Sequence, residues 1–116
     1  MKVLVTGTAG FIGYHVAKRL VSRGDIVVGL DSISNYYDVN IKYDRLSKDG
    51  FDKSRISYNV ITQSCTYPNY SFIQLKLEDK TNLDILFAEQ KFDVVVNLAA
   101  QAGVRYSISN PQAYID

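Results

Sequence analysis

The sequence predicts an α/β fold built on a doubly wound parallel sheet, and three observations support this. Short apolar runs rich in β-branched residues alternate along the chain with stretches of helical periodicity. The runs at 2–6 and 26–30 flank one such helical stretch, which makes a strand–helix–strand unit with two parallel strands. The run at 92–97 is apolar enough to be covered on both faces, as central parallel strands are. We expect about four strands in the order 3-2-1-4, which is an incomplete version of such a sheet.

Each further element follows from its local pattern. Apolar residues at Ile12, Val16 and Leu20 give the first helix its buried face, and Gly24 is a plausible stop. With 116 residues, the chain is one domain at most. The other predicted elements are a helix at 38–49, a partly irregular insertion at about 51–70, a strand at 71–77 and a helix from about 80 to 91.

Three glycines, Gly7, Gly10 and Gly13, separate the first strand from the first helix. In a dinucleotide-binding turn, the first glycine allows the sharp turn, the second lets backbone N–H groups approach a pyrophosphate, and the third lets the helix pack on the strand. The ligand's negative charge then lies at the positive end of the helix. Because a strand precedes the glycines and a helix follows them, the pattern favours a Rossmann-type dinucleotide site over a plain connection.

Asp31 ends the second strand, eighteen positions after Gly13. A carboxylate at this point accepts hydrogen bonds from the adenosine ribose hydroxyls and repels a 2′-phosphate. No lysine or arginine occurs between Asp31 and Ile41 to bind that phosphate. The sequence therefore favours NAD over NADP.

Further cofactor contacts are predicted where strands end, because the carboxyl ends of parallel strands meet at one edge. Ser34 and Asn35 follow the second strand, Leu77 ends the third, and small residues follow the fourth. In the order 3-2-1-4 that fourth strand end lies beside the glycine turn. A simple packing loop would also explain the small residues. We favour binding at Ala99, Ala100 and Gln101.

Composition excludes several other functions. The 116 residues carry a formal net charge of +1, with 13 basic and 12 acidic residues interspersed, so no electrostatic footprint for nucleic acid or an anionic membrane is present. No apolar run is long enough to span a bilayer and the N-terminus lacks a signal-peptide pattern, which predicts a cytoplasmic protein. One cysteine, Cys65, and one histidine, His15, exclude an internal disulfide and predict no metal site.

Four segments resemble a known family. They are TGTAGFIG at 6–13, LDSISNYYD at 30–38, YPNYSF at 67–72 and NLAAQAGVRYSI at 97–108. They look like the N-terminal third of extended short-chain dehydrogenase/reductases, and within these like the NAD-dependent epimerases that act at C4 of UDP-glucuronate or UDP-galacturonate. The resemblance implies an enzyme in which NAD oxidises the sugar 4-hydroxyl and returns hydride to the other face. It suggests a role in capsule or surface polysaccharide synthesis.

The resemblance also implies roles for individual residues. It assigns cofactor contacts to the three glycines and Asp31, backbone N–H donors to Phe11 and Ile12, and a position along the cofactor to Ala99, Ala100 and Gln101. Arg105 would lie near the charged groups of the substrate, although a solvated side chain explains it equally well.

Lys76 departs from the family pattern. The family usually has an aspartate there that accepts a hydrogen bond from the adenine amino group, and an ammonium has no acceptor. We therefore expect adenine recognition to be weakened or moved to a neighbour such as Glu78.

The family's catalytic Tyr-x-x-x-Lys pair is the second departure. The one such spacing in this sequence, Tyr14 to Lys18, lies on the helix directly after the glycine turn. A base there would not reach the reacting proton, so we predict no catalytic residue in this chain. We expect the chain to be an N-terminal fragment, inactive by itself, of a UDP-sugar epimerase.

Two alternatives remain, together with an expectation about assembly. The protein could be a dehydratase or reductase of the same family, or a non-catalytic nucleotide-binding module or folded remnant. Because the fourth strand has no predicted neighbour on one side, its apolar edge predicts a homodimer or swapped oligomer.

Overall fold

The computed structural model describes residues 1–33, 39–98 and 108–109. Within these ranges three α-helices alternate with four strands as predicted, and two further short strands are present. Their bounds are β1 Lys2–Thr6, α1 Phe11–Ser22, β2 Ile26–Asp31, α2 Val39–Lys48, β3 Ile61–Gln63, β4 Tyr70–Gln74, α3 Lys80–Gln90, β5 Val94–Asn97 and β6 Ile108–Ser109, with a short 3₁₀ turn at Lys53–Arg55.

The six strands form one sheet in the order β3-β4-β2-β1-β5-β6. The four central strands are parallel and correspond to the predicted order 3-2-1-4, which the structure confirms. Along β1, Thr6 pairs with Leu30 on one side and with Asn97 on the other. The carboxyl ends of three neighbouring strands therefore lie at the same edge of the sheet.

The sheet is covered on both faces, as a doubly wound fold requires. Alternate residues of β1 point to opposite faces, so Val3 and Val5 belong to one buried cluster and Leu4 to the other. On the first face α1 packs through Ala17 and Val21, together with Leu46 of α2 and Phe51. On the second face α3 packs through Leu86, together with Phe92.

The insertion at 51–70 is more regular than its sequence indicates. It contains β3, which pairs antiparallel with β4 over three residues. Within β3 only Thr62 is buried and its two neighbours are exposed. An alternation this short is too weak to predict a strand from sequence.

The expectation of an open edge on the fourth parallel strand was wrong. Backbone of β6 pairs antiparallel with β5, with Val95 opposite Ser109 and Val96 opposite Ile108. Within the described part of the chain this edge is covered over two residues. An unpaired apolar edge on this strand therefore no longer supports a dimer.

Among the described residues, no helix has both the length and the apolar surface that crossing a bilayer requires.

Candidate functional site

The glycine turn is fastened to the end of β2. Gly7 has φ +79°, a conformation that favours glycine, and its N–H donates to the Leu30 carbonyl oxygen at 2.6 Å. The N–H of Thr8 points to the same oxygen at 3.4 Å. The chain thus leaves β1 and turns directly over the neighbouring strand.

The third glycine allows a close contact between α1 and the turn. A Cβ atom at Gly13 would lie 2.0 Å from the Gly7 carbonyl oxygen, and one at Gly10 would lie 3.2 Å from it. The Gly10 N–H donates to that same oxygen at 3.0 Å. Any side chain at Gly13 would therefore force the helix away from the turn.

The N-terminus of α1 has no capping side chain. Gly10 is the N-cap residue, no side chain accepts from the first turn, and that turn contains no acidic residue. The first bond within the helix runs from the Tyr14 N–H to the Gly10 carbonyl at 2.9 Å. The N–H groups of Phe11, Ile12 and Gly13 therefore have no acceptor within the helix. Together with the helix dipole, they form a site suited to an anion.

The Asp31 carboxylate lies next to this turn and is buried, with 4% of the residue exposed. Its Oδ2 accepts the Ala9 N–H at 3.0 Å, and its Oδ1 accepts the Ile33 N–H at 2.7 Å. Each bond orients one carboxylate oxygen. Asp31 is thereby held between the glycine turn and the segment that follows β2.

Two basic side chains of α2 approach the same place. Lys42 Nζ lies 3.2 Å from Asp31 Oδ1, with 12% of its side chain exposed. Arg45 Nη1 donates to the Ala9 carbonyl oxygen at 3.1 Å, and its guanidinium lies 5.8 Å from the centre of the Phe11 ring. The sequence has no lysine or arginine between Asp31 and Ile41, but Lys42 follows directly, and α2 brings Lys42 and Arg45 to the turn.

A second interaction joins β1 to β5 at this edge. Thr6 Oγ1 donates to Asn97 Oδ1 at 2.5 Å and accepts the Leu98 N–H at 2.9 Å, and both Thr6 and Asn97 are buried. These bonds fix where the chain leaves β5. This pair was not predicted from the sequence. The signal that could have indicated it is a polar residue at the end of each of two apolar strands.

The end of β4 carries a hydrogen-bonded corner. Tyr58 Oη donates to Asp79 Oδ2 at 2.7 Å and accepts the backbone N–H of Lys76 at 3.2 Å. The side chain of Lys76 is exposed. Leu77, predicted as a cofactor contact, is half-buried and packs on the core cluster that includes Leu86.

The Tyr14 and Lys18 pair lies along the side of α1. Lys18 Nζ donates to Tyr14 Oη at 2.9 Å and lies 3.8 Å from an oxygen of Asp49, whose side chain is fully buried. Burial raises the pKa of Asp49 to about 6, and the nearby Lys18 charge opposes this. The hydrogen bond to Tyr14 raises the pKa of Lys18. Lys18 is about 10 Å along the helix from Phe11, which separates this pair from the anion site.

Several predicted residues lie outside the described part of the chain. They are Ser34, Asn35, Ala99, Ala100, Gln101 and Arg105. Among the described residues no group of three or more His, Cys, Asp or Glu side chains could hold a metal ion.

The described groups fit a pyrophosphate joined to a ribose. The N–H groups of Phe11 to Gly13, which have no acceptor within the helix, suit the pyrophosphate, and the carboxylate of Asp31 suits the ribose hydroxyls. The Ala9 N–H bond keeps these two subsites adjacent.

The chain is similar to proteins of one known family. A family model described as "NAD dependent epimerase/dehydratase family" matches residues 3–116. The chain is 48% identical over 116 residues to Protein CapI of Staphylococcus aureus and 43% identical to a probable UDP-glucuronate 4-epimerase of Rhizobium meliloti (strain 1021). It is covered completely in both cases and spans 30% of each relative's length.

Among solved structures, the chain resembles UDP-glucuronic acid 4-epimerase from Bacillus cereus, crystallised with UDP-glucuronic acid and NAD. The TM-score is 0.64 with 31% sequence identity, covering 90% of this chain and 28% of that one. The family match spans all but two residues of the sequence. The chain therefore belongs to the NAD dependent epimerase/dehydratase family.

Proposed function

We propose that this chain binds NAD and forms the cofactor-binding part of a nucleotide-sugar 4-epimerase of the UDP-glucuronate type. The observation that carries the proposal is the hydrogen bond between the Ala9 N–H and Asp31 Oδ2. It joins an uncapped helix N-terminus, which suits a pyrophosphate, to a buried carboxylate, which suits the adenosine ribose next to that pyrophosphate.

The sheet order supports one direction for the cofactor. The pyrophosphate binds the N–H groups of Phe11, Ile12 and Gly13 above β1, and the adenosine ribose donates to Asp31 at the end of β2. The nicotinamide half then extends over the end of β5, where Thr6 and Asn97 fix the chain before residues 99–101. When bound, NAD supplies a hydride acceptor at that end.

The substrate class comes from the relatives. The Bacillus cereus structure was crystallised with UDP-glucuronic acid, a relative from Rhizobium meliloti is described as a "Probable UDP-glucuronate 4-epimerase", and one from Arabidopsis thaliana as "UDP-glucuronate 4-epimerase 1". We propose a UDP-hexuronate as the substrate of the whole protein. Arg105 is our proposed contact for its negative charge.

A non-catalytic nucleotide-binding role is the second candidate, and the surroundings of Tyr14 favour it. The one Tyr-x-x-x-Lys spacing in the sequence places Lys18 against the buried Asp49 instead of at the anion site. The 116 residues would then bind NAD without turnover.

Calorimetry with NAD tests the shared part of both candidates. We expect saturable binding to the 116-residue chain that is lost in Gly13→Ala, whose Cβ would meet the Gly7 carbonyl oxygen. Gly24→Ala is the matched control, because a Cβ there meets no atom within 4 Å. No heat at millimolar NAD would contradict the proposal. An assay for C4 inversion of UDP-glucuronate by the whole protein then separates the candidates, since turnover supports the epimerase and its absence supports the non-catalytic role.

Two further proposals concern the cellular location and the oligomeric state of the protein. We propose a cytoplasmic enzyme, because nucleotide sugars of this class are the substrates of its relatives. A homodimer stays a proposal that analytical ultracentrifugation tests, and a monomer across the accessible concentration range would contradict it.

A further inference from the structure

We propose that the joint between α2 and the insertion is a pH-sensitive latch, which is closed in mildly acidic solution and opens locally towards neutral pH because the Asp49 carboxyl ionises. The joint comprises residues 49–51, at the end of α2, and residues 64–67, the turn between β3 and β4. No residue that we predict to contact the cofactor belongs to it. The inference is therefore independent of NAD binding.

Asp49 lies at the C-terminal end of α2. The Phe51 N–H donates to the Leu46 carbonyl oxygen at 2.9 Å, and the Gly50 N–H donates to the Ser47 carbonyl oxygen at 3.0 Å. With Gly50 at φ +89°, these two bonds form a Schellman motif in which Asp49 is the C-cap. The C-terminal end of a helix carries the negative end of its dipole, which disfavours a carboxylate. This position therefore favours the protonated form of Asp49.

The turn of the insertion is bonded to this helix end. Ser64 Oγ donates to the Asp49 carbonyl oxygen at 2.6 Å and accepts two backbone N–H groups of the turn, at 3.0 and 2.9 Å. The Cys65 N–H donates to the Gly50 carbonyl oxygen at 2.9 Å. A few hydrogen bonds of one short turn therefore close the joint, and they can break without unfolding the sheet.

The Asp49 carboxylate has no hydrogen-bond donor within the described part of the chain, although its side chain is fully buried. Lys18 Nζ lies 3.8 Å from Oδ1, which is too far for a hydrogen bond, and donates to Tyr14 Oη instead. A buried carboxylate without donors is unfavourable when it is charged. Opening the joint hydrates it, so ionisation favours the open form.

Other titratable groups around Asp49 come from three elements. α1 contributes Lys18 and Tyr14, the turn contributes Tyr67, whose phenol interacts with the Lys18 charge, and β4 contributes Tyr70. Burial, and after it the Asp49 charge, raises the pKa of Tyr70. Lysine and tyrosine side chains ordinarily titrate near pH 10. Among these groups, Asp49 is the one that changes its charge in mildly acidic solution.

The size of the effect follows from linkage. Burial raises the pKa of Asp49 from 3.8 to about 6 in the closed form, and a hydrated carboxyl in the open form has its ordinary value. The protonated carboxyl therefore stabilises the closed form at low pH, and this contribution is lost as the pH rises through about 6. Between about pH 5 and about pH 7, the opening constant should rise about tenfold.

Hydrogen exchange followed by NMR tests the latch on the 116-residue chain. The exchange rates of the Cys65, Thr66 and Tyr67 amides, divided by those of an unstructured peptide at the same pH, give the opening constant of the joint. We expect the tenfold rise in this constant from about pH 5 to about pH 7. At both pH values it should exceed the constant of the Val5 amide, which lies in the central strand β1 and reports global unfolding.

Two variants assign the effect. Asp49→Asn removes the titrating group and keeps its size, so the opening constant of the joint should no longer change with pH. Asp84→Asn is the matched control, because it removes an exposed carboxylate from α3 and should keep the tenfold rise. A rise that persists in Asp49→Asn comes from another group and would overturn the inference.

Two results with wild type would also overturn it. Exchange of the joint as slow as that of Val5 would mean that the joint opens only in global unfolding, and equal opening constants at both pH values would mean that Asp49 does not control it. If Asp49→Asn does not fold, Ser64→Ala takes its place, since the Cys65 N–H keeps its acceptor there. Its opening constant at Cys65 should rise about fivefold at both pH values. An unchanged constant contradicts the latch.

Discussion

The carboxylate of Asp31 accepts the backbone N–H of Ala9 at 3.0 Å, across twenty-two positions of the sequence. Through this bond the end of β2 fixes the glycine turn that follows the neighbouring strand β1. The positions of the helix N-terminus and the acid are therefore coupled, and a change at Asp31 affects both.

Asp31→Asn tests this coupling. An asparagine keeps one acceptor oxygen but loses its charge, so one of the two backbone bonds and the ion pair with Lys42 are lost. We expect NAD affinity to fall by about 1–3 kcal/mol, and stability by a similar amount. Calorimetry and urea denaturation measure the two effects. Asp84→Asn is the control, because the Asp84–Lys80 pair has a similar 3.0 Å separation but is exposed, and it should change stability by less than about 0.5 kcal/mol.

Gly13→Ala tests the close packing of α1 on the turn. Because the new Cβ would lie 2.0 Å from a backbone oxygen, we expect a loss of about 2–3 kcal/mol in the free energy of unfolding. Gly24 has φ +91° with open space around it, so Gly24→Ala should cost about 1–2 kcal/mol from backbone strain and leave NAD binding intact. Equal binding by the two variants would contradict our account of the turn.

The buried Asp49 predicts a pH dependence of stability. Burial raises its pKa from 3.8 to about 6, so the folded state binds the proton more tightly than the unfolded state. The protonated form is stabilising below pH 4, and this contribution is lost as the pH rises through about 6. The loss is about 3 kcal/mol, from the difference between the two pKa values.

Comparison with Asp49→Asn isolates this contribution. Between pH 4 and pH 7 we expect the unfolding free energy of wild type to fall relative to that of Asp49→Asn. In Lys18→Met the opposing charge is absent, so the pKa of Asp49 rises further and the fall should extend to higher pH. Parallel profiles for wild type and Asp49→Asn would show that Asp49 has an ordinary pKa.

Tyr70→Phe tests a buried hydroxyl. Tyr70 is fully buried, its ring packs edge-on against Phe51 at 4.9 Å, and its Oη has no hydrogen-bond partner among the described residues. Removing the hydroxyl keeps the ring contact and leaves no partner unsatisfied, so we expect a change within about 1 kcal/mol. A larger loss in thermal denaturation would indicate that the hydroxyl forms a hydrogen bond with Thr8 Oγ1, a pairing that opposes the rise in the pKa of Tyr70 caused by burial.

The parallel core could be predicted from sequence because its signals are local. β1 and β2 are continuous apolar runs, and α1 has apolar residues at helical spacing. Gly7, Gly10 and Gly13 have the spacing of a dinucleotide-binding turn. β3 and β6 could not be predicted in the same way. They are two or three residues long, and they are stabilised by pairing with β4 and β5.

The site was predictable only in part, for a related physical reason. Asp31 and the glycines are read from spacing along one strand–helix–strand unit. Lys42 and Arg45 belong to the next helix, and nothing in their own sequence shows which way α2 turns. Only the packing of α2 through Leu46 brings these cations to the turn.

Chemical-shift mapping by NMR tests the central claim most directly. A ¹⁵N-labelled sample of the 116-residue chain is titrated with NAD, and the backbone N–H signals of the glycine turn are followed. We predict saturable shifts that are largest at Ala9, Phe11, Ile12 and Gly13, with no change at Gly24. Binding that leaves the Phe11 to Gly13 signals in place, or no shifts at millimolar NAD, would contradict the assignment of this turn as the cofactor site.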